Sequence, residues 1–348
     1  MNPNPFRRFP LQRLAVAATL ACGALLAGCG GGSSSAAAPT SSPLSESDAT
    51  ADAADATSTG ADTAAAMDTV IDTTSALAQA TASASAAAPD RMHELSASAE
   101  AARASAPITN VTLNCAGGGT ATLSITGGTV ASEINGQLDA GEHYSVAYAQ
   151  CTGQAGYAQL NGSVEMDVVS ADDATAPSTV AVNLTVTGLS LTLPAGSATL
   201  NGTASVSRSA VTSGNVATTT SQVTVPSATL ATAFNGRTGT FTLTDLDATR
   251  TVTSTAGVVT ASQYSGHHTL AGNANGRTIS LSASTTGNVG YDATGALVSG
   301  AWTVVRPLAT IVTTVANGTV VMTVDDGSDG TIDQTWTFPV ATLNAAAG

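Results

Sequence analysis

The histidines are the residues of this sequence best suited to acid–base or metal chemistry near neutral pH. There are four: His93 and His143 stand alone, whereas His267 and His268 are adjacent. Because neighbouring side chains on a strand point to opposite faces, we do not expect the adjacent pair to bind one metal ion. The sequence has no HExxH pattern, no GxSxG motif and no glycine-rich phosphate loop. No catalytic residue is therefore predicted from a motif.

A few carboxylates stand close to a histidine or to one another. Glu142 precedes His143, and Glu165 and Asp167 are two residues apart, which places them on one face of a strand. A hydrolase would need a cleft that brings such groups to a nucleophile. The simpler interpretation is that Glu165 and Asp167 are solvated, on the side opposite apolar neighbours such as Met166.

One acidic run, residues 325–333, has the composition of a cation-binding loop. Asp325, Asp329 and Asp333 supply oxygen ligands around a glycine turn, an arrangement that suits Ca²⁺. The run resembles the Asp-rich calcium loops of EF-hand-like modules, and the resemblance implies Ca²⁺ ligands at these three aspartates. It departs from that pattern at Gly327, in place of a ligand, and at Trp336, in place of a glutamate. The alternative is a plain acidic hairpin turn between two strands.

Most of the chain after about residue 108 alternates between apolar and polar residues. Residues 180–186, for example, are Val-Ala-Val-Asn-Leu-Thr-Val. A period of two in Val- and Thr-rich sequence is typical of strands with one buried face. Because no long helical pattern separates the strands, we expect antiparallel hairpins. The sequence predicts an all-β domain over 108–348, an antiparallel hairpin-rich meander forming a curled sheet, a sandwich or a barrel-like sheet.

Six Asn-Gly pairs punctuate this domain. Asn-Gly adopts the positive φ angles of two-residue hairpin turns, so each pair predicts a hairpin. The pairs are Asn135-Gly136, Asn161-Gly162, Asn201-Gly202, Asn235-Gly236, Asn275-Gly276 and Asn317-Gly318.

The N-terminal segment has the pattern of an export signal. Three arginines precede an apolar stretch over 14–26, and the segment closes with Leu26-Ala27-Gly28-Cys29. This closing sequence resembles the lipobox of bacterial lipoproteins. The resemblance implies that residues 1–28 are removed and that Cys29 is lipidated, so that acyl chains anchor the protein to a membrane. In such lipoproteins the next residue sorts the product between membranes, and Gly30, rather than aspartate, implies the outer membrane, on its periplasmic face or at the cell surface.

Two cysteines remain beyond the lipobox, Cys115 and Cys151. In an oxidising compartment outside the cytoplasm we expect them to form a disulfide. The alternative is a metal or redox role, for which the sequence lacks a neighbouring CxxC.

Residues 29–107 differ from the β domain in composition. Over 30–106 they are mostly Ala, Ser, Thr, Gly and Asp, with ten acidic residues and two arginines. So little large apolar surface cannot offset chain entropy, and the segment is predicted to be a disordered tether. Within it, Met67, Val70, Ile71 and Thr74 follow helical spacing. These residues form either a nascent helix in a linker or a helix that binds a partner.

Composition limits the function classes. The chain carries a net charge of −14 and no lysine, so nucleic-acid binding, which needs clustered cations, is not expected. We expect a lipid-anchored outer-membrane protein whose non-enzymatic β domain is an envelope structural or interaction module, with a protein or cell-wall partner. The alternatives are a binding protein for a hydrophobic or lipid ligand inside a curled sheet, a Ca²⁺-dependent surface adhesion module, and a hydrolase.

Overall fold

The computed structural model describes residues 43–86, 108–115, 117–128, 137–152, 159–172, 177–193, 196–234, 237–274 and 277–346. The predicted signal segment, Cys29 and the parts of the predicted tether over 30–42 and 87–107 lie outside these residues. The helices are α1 (Glu46–Ala86) and α2 (Val340–Ala346). The strands are β1 (Ile108–Asn114), β2 (Gly118–Thr126), β3 (His143–Thr152), β4 (Gln159–Asp172), β5 (Ser178–Leu193), β6 (Gly196–Ser213), β7 (Val216–Phe234), β8 (Arg237–Thr255), β9 (Val258–Ala274), β10 (Arg277–Thr285), β11 (Val289–Asp292), β12 (Leu297–Arg306), β13 (Ala309–Ala316), β14 (Thr319–Asp326) and β15 (Gln334–Pro339).

The fifteen strands of the described residues form a single antiparallel sheet. Consecutive strands pair with each other from β1 through to β10, and again from β12 through to β15. The short β11 pairs with β9 and β12, and β10 also pairs with β12. This arrangement confirms the predicted all-β class and the antiparallel hairpin meander.

The Asn-Gly pairs have two different roles. Asn317-Gly318 forms the β13–β14 turn, with φ of 51° and 76°, as predicted. Asn161-Gly162 and Asn201-Gly202 instead lie inside β4 and β6 at shifts in strand register, so the hairpin prediction is wrong there. Their side-chain oxygens accept hydrogen bonds from the amides of Gln150 (2.8 Å) and Gly188 (2.6 Å) on the neighbouring strands. Each asparagine thus satisfies an amide that the bulge takes out of the ladder. The other three pairs lie outside the described residues.

The sheet has one buried face and one exposed face. On β14, Val320, Met322 and Val324 are fully buried, whereas Val321 is 42% exposed. The same alternation runs along the other long strands. We call the buried side the inner face and the opposite side the outer face. The period of two in the sequence therefore predicts correctly which residues form the core.

Helix α1 lies against the inner face and corrects the predicted tether. The prediction of disorder is wrong for residues 46–86, which form a helix in contact with β6–β10, β12 and β13. Small side chains let the helix backbone approach the sheet closely, and the summed van der Waals contacts replace the missing large apolar residues. The helix is therefore not a nascent helix in a linker, because it packs on the chain's own sheet. Its buried side repeats every three or four residues, at Ala49, Ala53, Ala56, Gly60, Ala64, Met67, Ile71 and Thr74.

Two carboxylates on the buried side of α1 bind arginines of the sheet. Asp52 accepts a hydrogen bond from Arg306 of β12 at 2.6 Å, and Asp68 accepts one from Arg250 of β8 at 3.0 Å. A charge is tolerated in such a position only when it is paired. Ser45 caps the helix by accepting a hydrogen bond from the Asp48 amide. The helix is 41 residues long, but no helix of the described residues combines the length and apolarity needed to cross a bilayer.

Candidate functional site

The predicted disulfide is present. Cys115, which follows β1, is bonded to Cys151 of β3, and their Cα atoms are 5.4 Å apart. Both cysteines are buried, and the bond spans β2, which pairs with both flanking strands. The bond therefore links the end of the edge strand β1 to β3, and its role is structural.

The acidic run at 325–333 forms a turn in which the carboxylates face backbone amides. Asp325 accepts a hydrogen bond from the amide of Asp329 (3.1 Å), Asp329 from that of Thr331 (2.8 Å), and Asp333 from that of Asp326 (2.7 Å). In the described part of the chain, no group of three or more His, Cys, Asp or Glu is placed to hold a metal ion. This geometry favours the plain acidic turn over the predicted Ca²⁺ loop, because the three aspartates cap the turn instead of converging on one point.

Glu142 and His143 are not brought together in a cleft. His143 lies on the outer face, where its Nδ1 is 2.7 Å from the carboxylate of Asp167 on β4. Glu142 is 1% exposed and accepts hydrogen bonds from the Tyr144 hydroxyl (2.6 Å) and the Asp139 amide (2.9 Å). Because these adjacent residues lie on opposite sides of the sheet, Glu142 and His143 do not belong to one site.

A row of polar side chains, which we call the outer row, crosses the outer face from β3 to β10. At one end His143 pairs with Asp167; near the other, Asp247 lies directly opposite His267. Sequence inspection misses this row because consecutive members lie 16–24 residues apart. In strand order its members are His143, Asp167, Asn183, Ser205, Thr224, Asp247, His267 and Ser284.

Serine and threonine dominate the outer face around this row. Neighbouring hydroxyls lie close across the strands, as between Thr220 and Thr251 (3.3 Å) and between Thr269 and Ser282 (3.2 Å). Threonine is stiff at χ1 and suits a pleated surface, so this layer is held in fixed positions. We call it the hydroxyl face. It comprises Thr185, Thr203, Ser205, Thr224, Ser227, Thr240, Thr242, Thr244, Thr249, Thr251, Thr269, Ser280 and Ser282.

The adjacent histidines lie on opposite faces, as expected from the strand geometry. His267 belongs to the outer row, whereas His268 is 3% exposed and lies beneath α1. Burial, and secondarily the neighbouring His267, lowers the pKa of His268 from 6.5 to about 4. On the same side of β9, burial raises the pKa of Tyr264. The interior beneath the helix therefore contains a neutral imidazole and a neutral phenol at pH 7.

Comparison with family models, with curated proteins and with solved structures finds no match for this chain. Function is therefore inferred from the sequence motifs and from the two faces of the sheet. The inner face is covered by α1 over β6–β10, β12 and β13, and the outer face presents the outer row and the hydroxyl face.

Proposed function

We propose that this chain is a lipid-anchored protein of the outer membrane whose β domain is an envelope structural or interaction module. Cys29 carries the lipid, and the domain makes contact through its outer face. The observation that supports this role most directly is the hydroxyl face, a broad layer of hydrogen-bonding groups with few charges, on a single large sheet.

The chemistry of the hydroxyl face suits a polar, uncharged partner surface. Each hydroxyl both donates and accepts hydrogen bonds, so it can bind a donor or an acceptor on the partner. Threonine has little rotamer freedom to lose when it is immobilised, which lowers the entropic cost of binding. A protein or a cell-wall polymer of the envelope has surfaces of this kind.

A hydrophobic or lipid ligand on the inner face has less support. Such a ligand needs an exposed apolar concave surface, and α1 already covers the inner face over β6–β10, β12 and β13. The ligand would have to displace a helix that is held by the Asp52–Arg306 and Asp68–Arg250 ion pairs.

The lipid anchor is tested by labelling cells with radioactive palmitate. The native chain should be labelled and should sediment with the outer membrane, whereas Cys29→Ser should be unlabelled. Cys22→Ser, a change within the predicted signal segment, is the matched control and should behave like the native chain. Labelling that persists in Cys29→Ser, or a native chain without label, would refute the anchor.

The role of the outer face is tested by placing a photoreactive side chain at Thr242, on the hydroxyl face of β8, in intact cells. Val258, which is 62% exposed at the start of β9, is the control position. We expect a discrete adduct from Thr242 and not from Val258, and we expect Thr251→Glu on the same face to suppress it. Adducts of equal yield from both positions, or none from Thr242, would count against this surface. Protease shaving of intact and permeabilised cells then tells which side of the outer membrane the domain occupies.

A further inference from the structure

A small cavity lies between α1 and the inner face. Its lining includes Ala56 and Thr57 of the helix, Tyr264 and His268 of β9, and Thr285 at the end of β10. The space available to the centre of a water molecule is about 10 Å³, close to the minimum that one buried water requires.

Two of the polar side chains in this lining have no hydrogen-bond partner among the described residues. Both ring nitrogens of His268 and the hydroxyl of Tyr264 are buried and unpartnered there, and the two residues are 3% and 2% exposed. Buried polar groups are nearly always hydrogen-bonded, to protein or to ordered water. A neutral imidazole offers one donor and one acceptor, and a phenol offers both, so these groups can bind a molecule that also does both.

The two groups converge on the same point of the helix. A Cβ atom at Gly60 would overlap the Tyr264 hydroxyl and would stand 3.0 Å from Nδ1 of His268. The glycine therefore leaves room for both groups next to the helix backbone. Thr285 supplies a third candidate: its hydroxyl accepts a hydrogen bond from the Gly266 amide at 2.9 Å and keeps its own proton to donate.

We propose that this cavity is a binding site for one water molecule, which bridges Tyr264, His268 and Thr285 beneath α1. Three polar partners are the usual number for a buried water. The bridge satisfies groups that α1 shields from solvent, so it contributes to holding the helix on the sheet. The size of the cavity excludes a larger organic ligand.

The direct test is a crystal structure of the whole mature chain at a resolution that shows ordered solvent. We expect a single solvent peak within about 3.2 Å of both the Tyr264 hydroxyl and a ring nitrogen of His268. A direct Tyr264–His268 hydrogen bond without density between them, an empty cavity, or density for several connected atoms would each overturn the proposal.

A solution test counts long-lived internal water molecules by magnetic relaxation dispersion of the solvent. Gly60→Ala places a methyl group against Tyr264 and His268 and should remove one such water. Ser58→Ala, on the half-buried side of the same helix, is the matched control and should leave the count unchanged. Equal counts in the native chain and Gly60→Ala would overturn the proposal. If Gly60→Ala does not fold, the crystal structure of the native chain still decides.

Discussion

Acidification should weaken the docking of α1 through a single residue, His268. This imidazole extends from β9 and is buried beneath the helix, and Ala283 lies opposite it on β10. The charged groups between α1 and this part of the sheet include Arg250 of β8 and Asp68 of the helix, which neutralise each other in an ion pair. No hydrogen-bond partner among the described residues compensates a positive charge on His268, so the folded chain holds the ring neutral.

The magnitude follows from the lowered pKa. In the unfolded chain the ring takes up a proton near pH 6.5, whereas in the folded chain it does so only near pH 4. Between these values the unfolded state binds more protons, so stability falls as the pH falls from about 6.5 towards 4. A tenfold difference in proton affinity corresponds to about 1.4 kcal/mol, so lowering the His268 pKa from 6.5 to about 4 corresponds to about 3 kcal/mol of stability.

The assay is denaturant unfolding at several pH values between about 7 and 4.5, a range chosen to stay above the titration of most carboxylates. The native chain should lose about 2–3 kcal/mol across this range. His268→Gln, which cannot be protonated there, should show a much flatter profile. His267→Gln changes the neighbour on the outer face and should keep most of the native dependence. Superimposable profiles for the native chain and His268→Gln would refute the reasoning.

Four further outcomes are expected. Gly60→Ala should destabilise the fold by about 1–3 kcal/mol in thermal unfolding, because the new Cβ would lie 2.9 Å from the Tyr264 ring. This clash should outweigh the higher helix propensity of alanine. A melting temperature above that of the native chain would contradict this expectation. Asp52→Asn should cost about 2–3 kcal/mol by leaving Arg306 without its charged partner; additive losses in the double variant Asp52→Asn/Arg306→Gln would show that the two side chains are not coupled. Reducing the Cys115–Cys151 bond should lower the free energy of unfolding by about 4 kcal/mol, the value that the chain-entropy model gives for residues 36 apart. Denaturant unfolding with and without reductant measures this loss, and an unchanged midpoint would argue against it. Millimolar Ca²⁺ and a chelator should give the same melting temperature, since a ligand that binds the native state would raise it.

The sequence by itself determined the class of the fold and which side chains of the strands form the buried face of the sheet. A period of two predicts which side chains face inward, because alternation along a strand is a local property of the extended backbone. The same local property places His267 and His268 on opposite faces. The disulfide followed from two cysteines in a chain with the pattern of an export signal. That pattern, which includes Cys29, is a linear motif, so it can be recognised without the tertiary structure.

Tertiary structure decided what occupies the inner face and which residues meet across the outer one. Alanine-rich α1 looks like a tether in isolation, because the surface it buries and the ion pairs it forms belong to strands about 180–250 residues away. The Asn-Gly pairs of β4 and β6 mark bulges rather than turns, because their partners are amides of the neighbouring strands. Register also assembles the outer row from residues remote in the chain. All of these depend on pairing between distant segments, and no local pattern encodes which segments will pair.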